Sequence, residues 1–261
     1  MRSLNIAATG MQAQQNNVEV ISNNIANMNT TAYTRRRPEF TDLLYQNLRR
    51  VGSQSSDANT IVPTGIQIGL GVKTAAVYRI TEQGSLESTD NSLDVAIQGH
   101  GYFRIQLPSG DTAYSRDGEF QLSPTGTLVT ADGYTVLPQT TIDTKATAVS
   151  ISSTGVVTYK LDGQTNYTQA GQIQLALFAN DAGLEARGDN LFSETPASGQ
   201  PTIGYPGDNG FGTVLQGYVE TSNVNVVTEL TNLISAQRAY EMNSKVIQAS
   251  DQMMSTLTTM K

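Results

Sequence analysis

The sequence predicts an α+β protein in which one long helix at each end of the chain flanks a body of antiparallel β-strands. Near both ends, apolar residues recur every seven positions, as they do in helices that pair. In the middle, short runs of alternating apolar and polar residues are separated by turn-forming pairs. The 261 residues are 38% hydrophobic and 7% aromatic, and include 23 glycines. This lean composition suits many short strands better than one thick core.

The first helix is predicted over residues 3–28. Its apolar stripe combines two interleaved seven-residue series, in which Gln14 is the one polar member. Asparagine tolerates the left-handed conformation that ends helices, so the run from Asn27 to Thr31 predicts the helix end. We expect six stripe residues to pack against partners: Leu4, Met11, Val18, Ile21, Ile25 and Met28.

The second helix is predicted from about Asn225 to Met260, a stretch without glycine or proline. Ser222, Asn223 and Asn225 are all suitable N-caps. The stripe is wide, because Ala236, Ala239, Val246 and Met253 flank its main line. A hairpin of the two helices alone would leave apolar surface in water, so burial among several copies is favoured. The residues expected to mediate this packing are Val226, Leu230, Leu233, Tyr240, Ile247, Met254 and Leu257.

The middle of the chain, residues 80–220, is predicted to be an all-β body. Alternation is clear from Phe103 to Leu107 and from Ile173 to Leu177. Turn pairs recur at short intervals, which describes a meander of short strands. These pairs are Ser109-Gly110, Asp117-Gly118, Thr125-Gly126, Asp132-Gly133, Thr154-Gly155, Asp162-Gly163 and Asn209-Gly210.

Residues 34–79 fit neither class and are predicted to form a connector between two domains. One domain is discontinuous and combines the terminal helices, residues 1–33 and 221–261; the other is the body. Within the connector, Glu39 to Leu48 could form a short helical turn, and Val51 to Pro63 reads as an extended or mobile loop. The connector residues expected to make contacts are Arg35, Arg36, Arg37 and Tyr45.

Charge and cysteine content exclude several kinds of site. The chain has no cysteine, which removes disulfides, thiolate metal sites and a cysteine nucleophile. The net charge of −7 comes from the middle of the chain, whereas the two ends are nearly neutral. The arginine cluster at 35–37 could hold phosphate, but it lacks interleaved aromatic residues in an acidic chain. A contact with a neighbouring subunit or with acidic surface material is favoured, and no nucleic acid is expected.

Catalytic sites are weakly supported, and no metal or cofactor is expected. Gly69-Leu70-Gly71 and Gly99-His100-Gly101 do not extend to a nucleotide-binding motif and favour a bend or close strand packing. His100 is the single histidine, between two glycines, which favours a turn residue. The remaining enzymatic alternative is glycan cleavage by paired carboxylates, namely Asp90 with Asp94 or Asp117 with Glu119.

No stretch reaches the roughly 18 apolar residues of a membrane span. Polar residues interrupt any apolar region near the N-terminus, so no cleaved signal peptide is predicted. By the ordinary secretion route such a chain would stay in the cytoplasm.

Long motifs at both ends and in the body resemble those of bacterial flagellar rod and hook proteins. At the N-terminus these are the runs 22–27, with Asn23, Asn24, Ala26 and Asn27, and 31–36. The C-terminal counterparts are 217–226 and 237–241, and the body matches at 91–103 and 114–120. The resemblance covers essentially the whole chain.

Within that family, residues 42–46, 52–56 and 63–72 resemble the members that form the distal rod. Hook proteins carry a larger body than this length allows. The resemblance implies a structural subunit, not an enzyme, that polymerises into a helical tubular drive shaft transmitting torque across the periplasm to the outer membrane. Export by the flagellar type III apparatus would need no cleaved signal peptide. The implied partners are further copies, proximal rod proteins, the hook protein and the L- and P-ring proteins. A proximal rod or hook subunit is the alternative.

Overall fold

The computed structural model describes residues 2–50, 52, 64–164 and 166–259. The predicted loop over 51–63 lies outside the described residues except for Gly52. The chain forms two compact units. The helical unit comprises residues 1–26, 36–79 and 225–261, and the body unit comprises residues 27–35 and 80–224.

The helical unit contains both predicted helices and two antiparallel β-ribbons, so the predicted fold class is confirmed. The helices are α1 (Arg2–Ala26) and α2 (Val226–Thr259). One ribbon pairs β1 (Arg36–Asp42) with β4 (Val72–Arg79), and the other pairs β2 (Tyr45–Arg49) with β3 (Ile66–Gly69).

The helix boundaries follow local capping chemistry. Asn225 caps α2, because its side-chain Oδ1 accepts a hydrogen bond from the Thr228 amide at 3.1 Å. The first helix ends at Ala26, two residues earlier than predicted, so Met28 lies in a turn of the body unit. The turn closes when the Thr30 amide donates to the Asn27 carbonyl.

The expectation of a helical turn at Glu39–Leu48 is wrong, because β1 and β2 occupy these residues. The β1–β4 pairing runs from Arg36 opposite Arg79 to Asp42 opposite Val72. Pro38 is tolerated in β1 because this strand pairs on one side only, which leaves room for a residue without an amide hydrogen. Strand pairing also places residues 36–79 with the helices, whereas we had predicted a separate connector.

The body unit is antiparallel throughout its described pairings. Its strands are β5 (Leu86–Ser88), β6 (Val95–Gln98), β7 (Tyr102–Gln106), β8 (Thr112–Ser115), β9 (Gln121–Leu122), β10 (Leu128–Val129), β11 (Thr135–Leu137), β12 (Ala146–Ile151), β13 (Val156–Leu161), β14 (Thr168–Gln172), β15 (Leu175–Leu177), β16 (Glu185–Gly188), β17 (Leu191–Ser193), β18 (Thr202–Gly204), β19 (Thr213–Gln216) and β20 (Tyr218–Glu220). A single 3-10 turn, Asp181–Gly183, interrupts them within the described residues.

Nine of these strands form one sheet in the order β16-β17-β8-β7-β11-β10-β9, and β15 joins β7 to β18. A second sheet orders β12-β13-β14, and two separate pairs are β19–β6 and β20–β5. The main core contains Phe103, whose ring meets Phe120 edge to face at 5.0 Å between centroids. A second aromatic cluster brings Tyr102, Tyr114 and Phe178 together.

Gly118 differs from the other predicted turn glycines. Gly126, for example, has φ +79°, the left-handed conformation that its turn requires. Gly118 does not have a positive φ; instead, a Cβ there would overlap the carbonyl oxygen of Val95. Close backbone approach in the core, rather than turn geometry, therefore requires this glycine.

Candidate self-assembly surfaces

The seam between α1 and α2 is built from small and polar residues spaced one heptad apart. The Ser250 hydroxyl donates to the Ser3 hydroxyl at 3.3 Å. A Cβ on Gly10 would lie 2.9 Å from the Asn243 amide nitrogen. Asn24 meets Glu229 two heptads further along α1. Partners advance by seven residues on one helix and retreat by seven on the other, which defines a regular antiparallel register.

Asn24 joins three elements of the helical unit. Its amide nitrogen donates to the Glu229 carboxylate at 3.3 Å and to the Arg36 carbonyl at 2.8 Å. Its amide oxygen accepts the Arg36 amide at 2.9 Å. Asn24 is 1% exposed and Glu229 is 6% exposed. Removing one partner would leave buried polar groups unsatisfied, so this cluster fixes α1, α2 and β1 together.

Most of the predicted apolar stripe is only half covered within one chain. On α1, Ile21 is buried, whereas Leu4, Met11, Val18 and Ile25 are half-buried. On α2, the half-buried residues are Val226, Leu233, Ile247 and Met254. Leu230 and Tyr240 are exposed, and the Leu257 side chain lies outside the described residues.

The outer surface of α2 presents large apolar side chains to solvent in two groups. The first group is Val227, Leu230 and Ile234, which are 76%, 46% and 52% exposed. At about 100° per residue these three lie within roughly 60° of one another around the helix. The second group is Met242, Val246 and Met253, at 63%, 46% and 59%. Contiguous exposed apolar surface of this kind marks an interaction site.

The predicted connector residues divide between the two units. In the body unit, the Arg35 guanidinium pairs with Glu82 at 3.2 Å, and the Arg35 amide donates to the Asn223 side chain at 2.7 Å. In the helical unit, the Arg36 and Arg37 side chains are exposed, and Arg37 lies over the Tyr78 ring. Contact of this arginine cluster with a neighbouring subunit stays a prediction.

Tyr45, the remaining predicted connector residue, is 54% exposed at the start of β2. A hydrogen bond to the Asp42 carboxylate and its negative charge raise the pKa of the Tyr45 phenol. The ring also packs over Gly69 on β3, since a Cβ there would lie 3.4 Å from it. Tyr45 is therefore positioned by its own strand pair with its ring facing solvent.

A buried ion pair organises the body unit. The Arg116 Nε donates to the Glu220 carboxylate at 2.8 Å, and its two amino groups donate to the carbonyls of Gly101 and Gly99 at 3.1 and 3.0 Å. The Glu220 carboxylate also accepts the Gly84 amide at 3.0 Å. The flanking glycines of exposed His100 thus serve as carbonyl acceptors for Arg116.

The carboxylates considered for glycan cleavage take part in local turns. Buried Asp94 accepts hydrogen bonds from Thr89 and Asn91, and Glu119 accepts one from Thr31 at 2.6 Å. Burial, together with the negative charges of Glu119 and Asp94, raises the pKa of Asp117. Among the described residues, no three acidic or histidine side chains are grouped so that they could hold a metal ion.

Sequence reasoning did not identify Asn24–Glu229, Asn223 or the Arg116 clamp as structural centres. The motifs that carry the family resemblance include all four residues, but without a role. A polar residue inside an apolar stripe was the available signal for Asn24 and Glu229. Asn223 had been considered as an N-cap; instead its amide donates to the carbonyls of Ile80 and Glu82.

Three family models match the chain in the order of its parts. The flagella basal body rod protein model matches residues 4–34, and the flagellar hook protein FlgE/F/G D1 domain matches residues 96–159. The flagellar basal body rod FlgEFG protein C-terminal model matches residues 215–260. Together these matches define the class: a flagellar rod or hook protein, which is structural and not enzymatic.

Full-length relatives narrow that class. The chain is 60% identical to the flagellar basal-body rod protein FlgG of Caulobacter vibrioides, over 97% of each chain. It is 55% identical to FlgG of Agrobacterium fabrum over 99% of this chain and 98% of the relative. The identity to FlgG of Bacillus subtilis is 40%, over 100% and 99%. The chain belongs to the FlgG family of flagellar basal-body rod proteins and is a structural subunit of the distal rod.

The family places the chain in the flagellar basal body, where it assembles into the rod with other flagellar components. Within the described residues, neither helix combines the length and the apolar character that a bilayer crossing requires.

Proposed function

We propose that copies of this chain assemble through α1 and α2 into a helical tube, the distal rod, that transmits torque across the periplasm. The observation that carries this proposal is the outer face of α2. Val227, Leu230 and Ile234 expose large apolar side chains on one side of a helix whose other side packs on α1. Burial against a second copy would remove this surface from water, and area burial is the main driving force of such association.

The half-covered stripe supports the same proposal. Leu4, Met11 and Val18 on α1 and Leu233, Ile247 and Met254 on α2 retain exposed area in the single chain. Neighbouring helices can cover that area without rearranging the small and polar seam. Because contacts of this kind join different faces, they build an open helical array rather than a closed ring.

Further partners follow from the family resemblance. We propose proximal rod proteins and the hook protein at the two ends of the tube, and the L- and P-ring proteins around it. Delivery by the flagellar type III export apparatus, without a cleaved signal peptide, completes this proposal. The connector arginines Arg35, Arg36 and Arg37, with Tyr45, are proposed to contact neighbouring subunits.

The test replaces Val227, Leu230 and Ile234 together by glutamine. Glutamine is a good helix former, so α2 should persist while its outer apolar group is lost. In cells that carry this variant as their single copy, we expect no assembled distal rod in isolated basal bodies and no swimming. The matched control replaces three exposed apolar residues of the body unit, Leu122, Tyr167 and Ile203, by glutamine. Normal rods in the α2 variant would show that the proposed helical contact is wrong.

A further inference from the structure

The β2–β3 ribbon, with its flanking Leu44 and Leu70, is a two-stranded element whose apolar residues face solvent. All five residues of β2 are exposed. Leu44, Tyr45, Leu48 and Ile66 are 83%, 54%, 54% and 52% exposed. An isolated two-stranded ribbon is marginally stable in water, so this ribbon requires a covering surface. It also carries a cation at one end of β2, Arg49.

A cleft with complementary chemistry lies between α1 and α2. It has a volume of about 470 Å³ and is lined by Gln15, Val18, Glu19, Gln237, Tyr240 and Glu241. Half-buried Val18 and the Tyr240 ring supply apolar surface, whereas Glu19 and Glu241 supply two carboxylates. Neither carboxylate forms an ion pair with any residue that the structure describes. An apolar cleft with two unpaired carboxylates fits an apolar segment that carries a cation.

The ribbon of one chain leaves α1 well away from the cleft of the same chain. Three contacts order the strands along α1: Asn24 with Arg36, Asn16 with Thr74, and Thr9 with Val72. The β1–β4 strands therefore run towards the start of α1. Directly after Val72's partner Asp42, the Leu43 amide donates to the Gly71 carbonyl, where the second ribbon begins. Thr9 is nine residues from Val18, about 13 Å along the helix.

We propose that the ribbon of one copy docks in the cleft of a second copy, with Arg49 between the carboxylates of Glu19 and Glu241. Leu48 and Tyr45 then cover Val18 and Tyr240. This inference rests on the proposed self-assembly and adds a specific contact to it. Ribbon and cleft are different surfaces of one chain, so each copy offers one of each, and repetition of the contact extends the polymer in one direction.

Charge reversal tests the contact in cells whose only copy of the protein is the variant. The cleft variant, Glu19→Lys with Glu241→Lys, places like charges against Arg49. We expect the amount of assembled rod to fall at least about tenfold, because facing like charges cost several kcal/mol at an interface. Arg49→Glu alone should have the same effect. The triple variant carrying all three changes should restore rods and swimming.

The matched control reverses two exposed carboxylates of the body unit, Asp132→Lys with Glu185→Lys, and should assemble normally. Cross-linking supplies a second readout, since the natural chain has no cysteine. A mixture of Leu48→Cys chains and Gln237→Cys chains should give a disulfide-linked dimer of the two. Normal assembly of the cleft variant, failure of the triple variant to restore it, or cross-links to other proteins only would overturn the inference.

These failures are distinguishable from failure of the proposed function. If the glutamine variant of the outer α2 group abolishes rods while charge reversal changes nothing, helical self-assembly stands and the ribbon contact is wrong. If the glutamine variant assembles, the helical proposal itself is wrong.

Discussion

The two units differ in what they bury. The body unit surrounds Phe103, Phe120, Ile97 and Leu128 completely, and its buried arginine has a carboxylate and two carbonyls as partners. The helical unit buries small residues such as Ala7, Ala13 and Ala236, and leaves its large apolar side chains half covered or exposed. The body therefore carries its own stability, whereas the helical unit reaches its full stability when other copies cover it.

The largest effect that separates the two units is expected from truncating a core ring. Phe103→Ala should lower the free energy of unfolding of the body unit by about 3–5 kcal/mol, because the side chain is fully buried. Leu233→Ala in the helical unit should cost the single chain roughly 1–2 kcal/mol, since Leu233 is half-buried. Hydrogen exchange measured by mass spectrometry resolves the two units. Equal losses in both would contradict the comparison.

A smaller effect is expected from the polar centre of the helical unit. Asn24→Leu removes the partner of the buried Glu229 carboxylate and of both Arg36 backbone groups. The unit should lose about 1–3 kcal/mol, the cost of leaving a buried polar group unsatisfied. Protection of α1 and α2 amides against exchange measures it, and Asn232→Leu on the exposed side of α2 is the control.

The same variant should also loosen the register of the seam. In an otherwise natural chain, Ser3→Cys with Ser250→Cys should form a disulfide, whereas Ser3→Cys with Asn243→Cys should not. Addition of Asn24→Leu should make the second pair, displaced by one heptad, detectable. If the slipped disulfide never forms, the other seam contacts suffice to set the register.

The smallest expected effect concerns the pH dependence of the body unit. The pKa of Asp117 is raised above its ordinary value of 3.8 in the folded state, so ionisation of this carboxyl opposes folding. Stability should therefore rise as the pH falls from neutral through the folded pKa towards 3.8. Asp117→Asn should stabilise the body unit at neutral pH, and this gain should vanish as the pH is lowered. Urea unfolding monitored by tyrosine fluorescence measures both; a constant gain at every pH would contradict the assignment.

The sequence was sufficient for features that depend on short-range patterns. The seven-residue period located both helices to within two residues, and alternation with turn pairs located the body strands. The family resemblance of the terminal motifs led to the correct class of protein. These signals are local because helix and turn geometry are set by residues within one or two turns of the chain.

Long-range pairing was beyond the reach of the same patterns. Residues 39–48 looked helical in isolation, but β1 finds its partner β4 some thirty residues later, and strand propensity is set largely by such neighbours. Leu230, Val246 and Met253 were placed in or beside the packed stripe, whereas the seam uses Glu229, Ala236 and Ser250 on the adjacent side of α2. Gly118 looked like a turn residue until its contact with Val95 was known.

The separation of ribbon and cleft along α1 has a consequence for polarity. A stack joined through these two surfaces has chemically different ends. One end presents an unfilled acidic cleft, and the other presents a cationic apolar ribbon. A protein that terminates the first end needs a basic apolar segment, and one that starts the second needs an acidic groove. Direction of growth and choice of terminating protein would then both be set by where β2 leaves the helix.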